Sequence, residues 1–191
     1  MKLDTKESYR EWVKAAIASM SESMRSIYSA AACANIAGME EFKKARTLLA
    51  YRPIRGECSP DPLVAYAREE GKRVAFPLCI NDNRLALYLA GGNSDFVRGR
   101  YGILEPDPEK CERIDIADID LAVIPGVAFD ASCNRMGRGA GYYDRLLAGY
   151  SGTKVGLAYQ KQIFASIPSG KNDVPMDYVA TNNGIIVKNH L

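Results

Sequence analysis

The sequence predicts an α/β domain spanning residues 1–191, a mainly parallel sheet flanked by helices. Two observations carry that prediction. Short apolar runs bounded by Gly, Pro or charge alternate with stretches of helical periodicity, the order expected of βαβ units. The chain is also long enough for one well-buried domain and short for two. Its 47% hydrophobic and 25% charged residues are an ordinary globular balance.

Taken in order, Asp4 followed by Glu7 marks a helix start, and Tyr9, Trp12, Ala16, Ile17 and Met20 fall on one stripe at helical spacing. Ser21 restarts the pattern. Met24, Ile27, Tyr28, Ala31 and Ala34 make a second apolar face, with Gly38 just beyond its end. The two helices read as an N-terminal α-helical hairpin. After a helical turn at "EEFKKA", the apolar run Thr47–Tyr51 reads as a strand buried on both faces. "PDPLVAYAREEG" is a helix with Pro60 or Pro62 in its first turn and Gly71 at its end, and it feeds the strand "RVAFPLCI". Arg84–Ala90 alternates as a hairpin partner, and Gly91–Arg113, rich in Gly, Pro and charge, reads as loop. "LAVIPG" (Leu121–Gly126) is a buried strand, "YYDRLLAGY" a helix, and "KVGLAY" (Lys154–Tyr159) and "GIIV" are further strands. No internal repeat, heptad array or low-complexity tract interrupts the series.

Composition narrows the chemistry. A net charge of +2 gives no reason to expect nucleic acid or a membrane surface. The N-terminus "MKLDTKESYREWVK" lacks the apolar core of a secretory signal, and no apolar run approaches a membrane span, so a cytoplasmic protein is expected. Five widely spaced cysteines without a C-x-x-C pair predict reduced, mostly buried thiols. The single histidine, His190, is the penultimate residue, which argues against Ser-His and Cys-His nucleophile pairs and histidine-bound zinc. Chemistry must then rest on carboxylates, Arg, Lys, backbone dipoles and a hard metal ion.

"NRMGRGAGYYDRLL" (Asn134–Leu147) is the segment best suited to such chemistry. It lies between a strand and a helix start, beyond the carboxyl end of the sheet where α/β folds bind ligands. Gly137, Gly139 and Gly141 permit close backbone approach, and Arg135 and Arg138 can meet phosphate oxygens in bidentate fashion. The dinucleotide fingerprint fails because Tyr142 stands where its third glycine belongs, and there is no Walker G-K-[ST]. A phosphate cradle and a loop with solvated arginines are the two readings of these residues. Asp144 could equally complement a helix dipole.

"PGVAFDASCNRMGRGAGYYDRLL" closely resembles the signature of the 5-formyltetrahydrofolate cyclo-ligases, also called 5,10-methenyltetrahydrofolate synthetases. Other motifs agree in order: Lys6 and Arg10, Gly56 and Glu57, "GILEP" (Gly102–Pro106), "GLAYQKQ" (Gly156–Gln162) and "NDVPMD" (Asn172–Asp177). The chain departs from common family patterns at Ala140, where many relatives carry Lys or Gly, and at Asn172, where His is frequent. The resemblance implies an ATP- and Mg²⁺-dependent cyclisation of 5-formyltetrahydrofolate, possibly polyglutamylated, to 5,10-methenyltetrahydrofolate, with release of ADP and phosphate. It implies a fold similar to that of sugar-phosphate isomerases and coenzyme A transferases, and a monomer is favoured.

Carried over residue by residue, the resemblance makes Lys6 and Arg10 ligands of the ATP phosphates. Arg135, Gly137, Arg138, Gly139, Gly141, Tyr142 and Tyr143 become the nucleotide cradle. Arg138 is the catalytic residue nearest the transferred group and, with Tyr142, also faces the folate. Glu57 accepts from the donor edge of the pterin, and Asp144 and Asp173 hold Mg²⁺. Without the resemblance, Lys6 and Arg10 would be a solvated helix face, Glu57 an exposed loop acid and Asp173 a turn residue. The rival readings are a same-fold enzyme acting on a sugar phosphate or coenzyme A thioester, for which nucleotide dependence is the discriminator, and a non-catalytic regulatory binder of nucleotide or folate. A nucleic-acid module is the weakest reading.

Overall fold

The structure, a computed structural model, describes residues 3–54, 56–81, 84–99 and 102–188. Helices α1 (Lys6–Ala18), α2 (Glu22–Ala37) and the short α3 (Glu40–Lys44) precede β1 (Thr47–Leu49), and α4 (Asp61–Glu69) follows. Strands β2 (Arg73–Asn81), β3 (Arg84–Leu89), β4 (Phe96–Arg98), β5 (Leu104–Pro106) and β6 (Glu112–Ile114) come next. Then come β7 (Leu121–Pro125), β8 (Ala128–Asp130), β9 (Arg135–Met136), α5 (Tyr142–Leu146), β10 (Thr153–Leu157), β11 (Ile163–Phe164), β12 (Tyr178–Thr181) and β13 (Gly184–Val187).

Eight strands form the main sheet in the order β13-β12-β10-β7-β1-β2-β3-β6. Its centre, from β12 to β2, is parallel; β13 pairs antiparallel with β12 at one edge, and at the other β3 pairs antiparallel with β2 and β6 antiparallel with β3. Every residue of β7 is buried, as a parallel strand covered on both faces must be. One apolar layer on the sheet gathers Val13, Phe42, Leu48, Val123 and Tyr159, and the other gathers Leu49, Ile124, Phe129, Leu147 and Met176.

Several expected boundaries shift for physical reasons. Thr5, not Asp4, caps α1: its hydroxyl accepts from the Ser8 amide, and the Ser8 hydroxyl accepts from the Thr5 amide in return. Val13 rather than Trp12 completes the buried stripe, and Trp12 lies half-exposed with its ring edge against Phe164. The inner face of α2 is Ser29, Ala32, Cys33 and Ile36, because small side chains let the helix approach α4 and β12 closely. Met24 and Ile27 therefore face solvent, Ile27 with 61% of its surface exposed. α1 instead packs mainly on β8 and the turn at residues 160–162, so the two N-terminal helices have different main partners and the expected hairpin is not borne out. Gly38 caps α2 in the right-handed region (φ −75°), whereas Gly71 ends α4 at φ +72° as expected.

The stretch expected as loop after Gly91 contains the β4–β5 hairpin, pairing Phe96 with Pro106, and β6, which extends the sheet from β3. The segment between β7 and α5 carries two strands of its own, forming a small second sheet with β11 in the order β11-β8-β9. α5 stops at Leu146 instead of reaching Tyr150, and Gly149 turns the chain at φ +77°. All five cysteines are free thiols, and burial pushes those of Cys33 and Cys58 up to about 12. No helix among the described residues is long and apolar enough to cross a membrane. His190 lies outside the described residues.

Candidate active site

Adjacent parallel strands end together, and the loops that follow β1, β7 and β10 converge beyond their carboxyl ends. After β7 the chain turns at Gly126. A Cβ there would lie 2.4 Å from the Phe129 ring, which is fully buried and also fills the space against Gly156, so only glycine lets the backbone pass. The buried Gln162 amide donates to the carbonyls of Gly126 (2.8 Å) and Val127 (3.0 Å) and accepts from the Tyr159 amide (2.8 Å). These bonds fix one wall of the site.

Two cavities open here and share Arg10, Glu57, Gly126, Val127 and Arg138. The smaller, about 320 Å³, is lined by Lys6, Arg10, Glu57, Arg135, Gly137, Arg138, Gly139, Gly141, Tyr142, Tyr143, Asp144 and Asp173. Every site residue expected from the sequence is therefore brought to one cavity. The larger, about 560 Å³, is bounded by Val13, Lys14, Ile17 and Ala18 of α1 together with Arg25, Gly56 and Gln162. Gly56 and Gln162 fall in motifs already legible in the sequence, but sequence reasoning assigned none of Val13, Lys14, Ile17, Ala18 or Arg25 to a site. The one legible signal was the apolar stripe of α1, whose member Ile17 faces the cavity.

Within the smaller cavity, cations and carboxylates are already paired. Lys6 Nζ donates to Asp173 Oδ2 at 2.5 Å, and the Gly170 amide donates to the same oxygen at 2.7 Å. Arg135 Nη2 donates to Asp144 Oδ1 at 2.7 Å, and that oxygen also accepts from the Val174 amide at 3.2 Å. Arg135 is almost fully buried and also donates to the Pro125 carbonyl at 3.3 Å. It ties the glycine loop to the end of β7, and its Nε finds no partner among the described residues. Arg10 Nε donates to the Gly137 carbonyl at 3.2 Å, which docks α1 on the loop. Gly139 sits at φ +111° and Gly141 at φ +69°, conformations that favour glycine.

Glu57 stands where the cavities meet. Its Oε1 accepts from Arg138 Nε at 3.3 Å and its Oε2 from the Ile54 amide at 3.0 Å. The Tyr159 hydroxyl holds the Glu57 carbonyl at 3.1 Å, and Tyr51 and Ser29 hold the next two residues through the Cys58 carbonyl and the Ser59 amide. Burial pushes the Glu57 carboxyl above its ordinary range, partly offset by the Ile54 amide and by Arg138. Burial is also the largest influence on Asp173. The Lys6 ammonium, the Gly170 amide and the charge of Arg135 together outweigh it and hold that carboxyl below the usual range. The Tyr142 hydroxyl donates to the Asn81 carbonyl at 3.3 Å, and the Tyr143 ring lies 5.7 Å from the Arg135 guanidinium.

No group of three or more His, Cys, Asp or Glu side chains able to hold a metal occurs among the described residues. Asp144 and Asp173 nevertheless face one cavity, and each directs its hydrogen bonds to a single carboxylate oxygen. The geometry offers a cationic phosphate cradle with two carboxylates beside it. Next to that lies a larger cavity with apolar walls from α1, several cations and the acid Glu57 at the junction.

Known proteins share this arrangement of chain. The model of the 5-formyltetrahydrofolate cyclo-ligase family matches residues 2–182. A 5-formyltetrahydrofolate cyclo-ligase of Mycolicibacterium smegmatis is 32% identical over 148 residues, covering 74% of this chain and 76% of the relative. That of Escherichia coli is 30% identical over 142 residues, with 72% and 78% covered. The solved structure of Aquifex aeolicus 5,10-methenyltetrahydrofolate synthetase superposes with a TM-score of 0.85 at 33% identity, covering 97% of this chain and 94% of the other. The chain belongs to the 5-formyltetrahydrofolate cyclo-ligase family.

Proposed function

We propose that the two cavities carry out the ATP-dependent cyclisation of 5-formyltetrahydrofolate to 5,10-methenyltetrahydrofolate, the smaller holding the nucleotide phosphates and the larger the folate. Family membership supports the ligase activity. The observation that carries the division of labour is the junction: Arg138 and Glu57 line both cavities and touch each other.

The formyl oxygen is a poor leaving group. In the proposed reaction it attacks the γ-phosphorus of ATP, the bond from that phosphorus to the bridging oxygen breaks, and ADP departs. N10 then attacks the formyl carbon, its proton is released, and the former formyl oxygen leaves within inorganic phosphate. Phosphoryl transfer of this kind needs positioning and charge stabilisation more than covalent help from the protein. Lys6 and Arg10 supply positive charge from α1, and Gly137, Gly139 and Gly141 admit the phosphates to the backbone. Arg138, more than half exposed, is free to reach the transferring group. Arg135 acts differently from the expectation: buried and bonded to Pro125 and Asp144, it positions the cradle.

Glu57 accepts N–H donors of the pterin, for which its rigid carbonyl tether and two-oxygen presentation suit it. Tyr142 completes the folate side. Mg²⁺ usually takes one or two carboxylates together with nucleotide phosphates and water, so Asp144 and Asp173 fit it without a cage of protein ligands. When bound there, it would neutralise phosphate charge. In this reading the whole chain works as one α/β unit, a monomer in the cytoplasm. A likeness to sugar-phosphate isomerases and coenzyme A transferases is part of what the family resemblance implies. The reading is tested by mixing protein, 5-formyltetrahydrofolate, ATP and Mg²⁺ and following the near-ultraviolet absorbance of the methenyl product. Product with one ADP per turnover is expected, and no product under any nucleotide condition would reject it.

A further inference from the structure

The larger cavity has a polarity that the reaction itself does not require. Glu57 and Arg138 line both cavities and so mark its junction with the smaller one, whereas Val13, Ile17 and two cations, Lys14 and Arg25, line the larger cavity alone. Four basic residues, Arg10, Lys14, Arg25 and Arg138, line it against one acid, Glu57. Two of the four are accounted for: Arg138 pairs with Glu57, and Arg10 is bonded to the glycine loop. Lys14 is exposed and follows Lys6 and Arg10 at four-residue spacing along one face of α1, about 6 Å beyond Arg10 at the helical rise. Arg25 is anchored by Nη1, which donates to the Met20 carbonyl at 2.6 Å. That bond reaches back across the α1–α2 turn and presents the guanidinium from a second element.

A ligand complementary to this cavity has hydrogen-bond donors at one end, an apolar middle and carboxylates at the other. Resting on the reading of the cavity as the folate site, we infer that Lys14 and Arg25 are specificity-determining residues that receive the carboxylates of the substrate's glutamate. The pterin then lies inward at Glu57, and the aminobenzoyl ring runs along Val13 and Ile17. α1 thereby serves both substrates, with Lys6 and Arg10 toward phosphate and Val13, Lys14 and Ile17 toward folate. Further glutamates would extend from the cationic end without entering the reacting centre.

The test compares 5-formyltetrahydrofolate with the analogue whose glutamate is replaced by a neutral methylamide, using calorimetric Kd so that turnover is not needed. The protein should bind the analogue about tenfold more weakly, the scale of charge-assisted contacts that are partly exposed. Lys14→Ala and Arg25→Gln should each shrink that ratio about threefold, and the double variant should bring it close to one. Lys14→Glu should invert the preference. An equal Kd for both ligands in the unaltered protein, or an unaltered ratio in Lys14→Ala, would overturn the inference. Lys14→Ala decides even if Arg25→Gln folds poorly, because the Lys14 side chain is exposed. Absence of turnover with measurable folate binding would instead reject the catalytic reading and leave the tail contacts to be judged by the same ratio.

Discussion

Arg138 Nε lies 3.3 Å from Glu57 Oε1, a contact across 81 residues of sequence at the junction of the two cavities. Glu57 is the fixed partner, 13% exposed and held by the Ile54 amide, whereas the Arg138 side chain is 56% exposed and can move. In the proposed reading, nucleotide phosphates draw Arg138 toward them and so release Glu57 for the pterin. A non-hydrolysable ATP analogue with Mg²⁺ should therefore tighten folate binding, and Arg138→Ala should abolish that coupling. The same variant should lower turnover by about a hundredfold or more, as for other charge-stabilising arginines. Folate affinity that is indifferent to nucleotide in the unaltered protein would contradict this, as would unchanged turnover in the variant.

Glu57 gives a prediction in pH. Because burial raises its carboxyl pKa, folding favours the protonated form. Its contribution to stability is present below the unfolded carboxylate range and lost as pH rises through the raised folded value. Only the ionised form accepts two N–H donors, so kcat/KM for folate should fall with acid on a limb lying above the ordinary carboxylate range. Glu57→Gln should remove that limb, weaken folate binding and leave ATP binding intact, while being no less stable at pH 7. A less stable variant with unaltered folate affinity would assign Glu57 to the scaffold.

Asp144 and Asp173 should separate in stability and agree in metal dependence. Asp144→Asn removes the charge facing Arg135, whose side chain is 3% exposed, and should cost roughly 1.5–3 kcal/mol by chemical denaturation. Asp173→Asn breaks a pair in which both side chains are 24–35% exposed and should cost about 1 kcal/mol or less. The stability from Asp173 is present above the unfolded carboxylate range and disappears as pH falls through its lowered folded value. Both variants should need much more Mg²⁺ for half-maximal activity at saturating ATP. An unchanged half-saturation point in both would leave these acids as partners of Arg135 and Lys6 alone.

Gly126→Ala places a methyl 2.4 Å from a Phe129 ring that is itself blocked by Gly156 on its other side. Relief must come from the backbone that lines both cavities. A loss of about 1–3 kcal/mol is expected, with weaker binding of both ATP and folate. Unaltered melting temperature and unaltered KM for both would show that the wall yields freely.

The sequence made the parallel strands legible because each is a short apolar run closed by turn residues, and β7, buried throughout, is the clearest case. It made the cradle legible because Arg135 to Asp144 are contiguous. Orientation was harder to read. Met24 and Ile27 are larger than Ala32 and Cys33, yet closeness to α4 selects the smaller pair for the interior beside Ile36. Asp144 showed its acidity but not its partner, since only the fold brings buried Arg135 within 2.7 Å. Val13, Lys14 and Arg25, which line only the larger cavity, come from two helices and meet around it, so no local pattern announced them.

The proposed reaction moves the γ-phosphoryl group of ATP onto the formyl oxygen before the ring closes. The direct test is a single turnover with 5-formyltetrahydrofolate carrying ¹⁸O in its formyl group, followed by mass analysis of the inorganic phosphate. Transfer of the γ-phosphoryl onto the formyl oxygen predicts one ¹⁸O atom in each phosphate released with the methenyl product. Unlabelled phosphate, with the ¹⁸O recovered in water, would contradict the account.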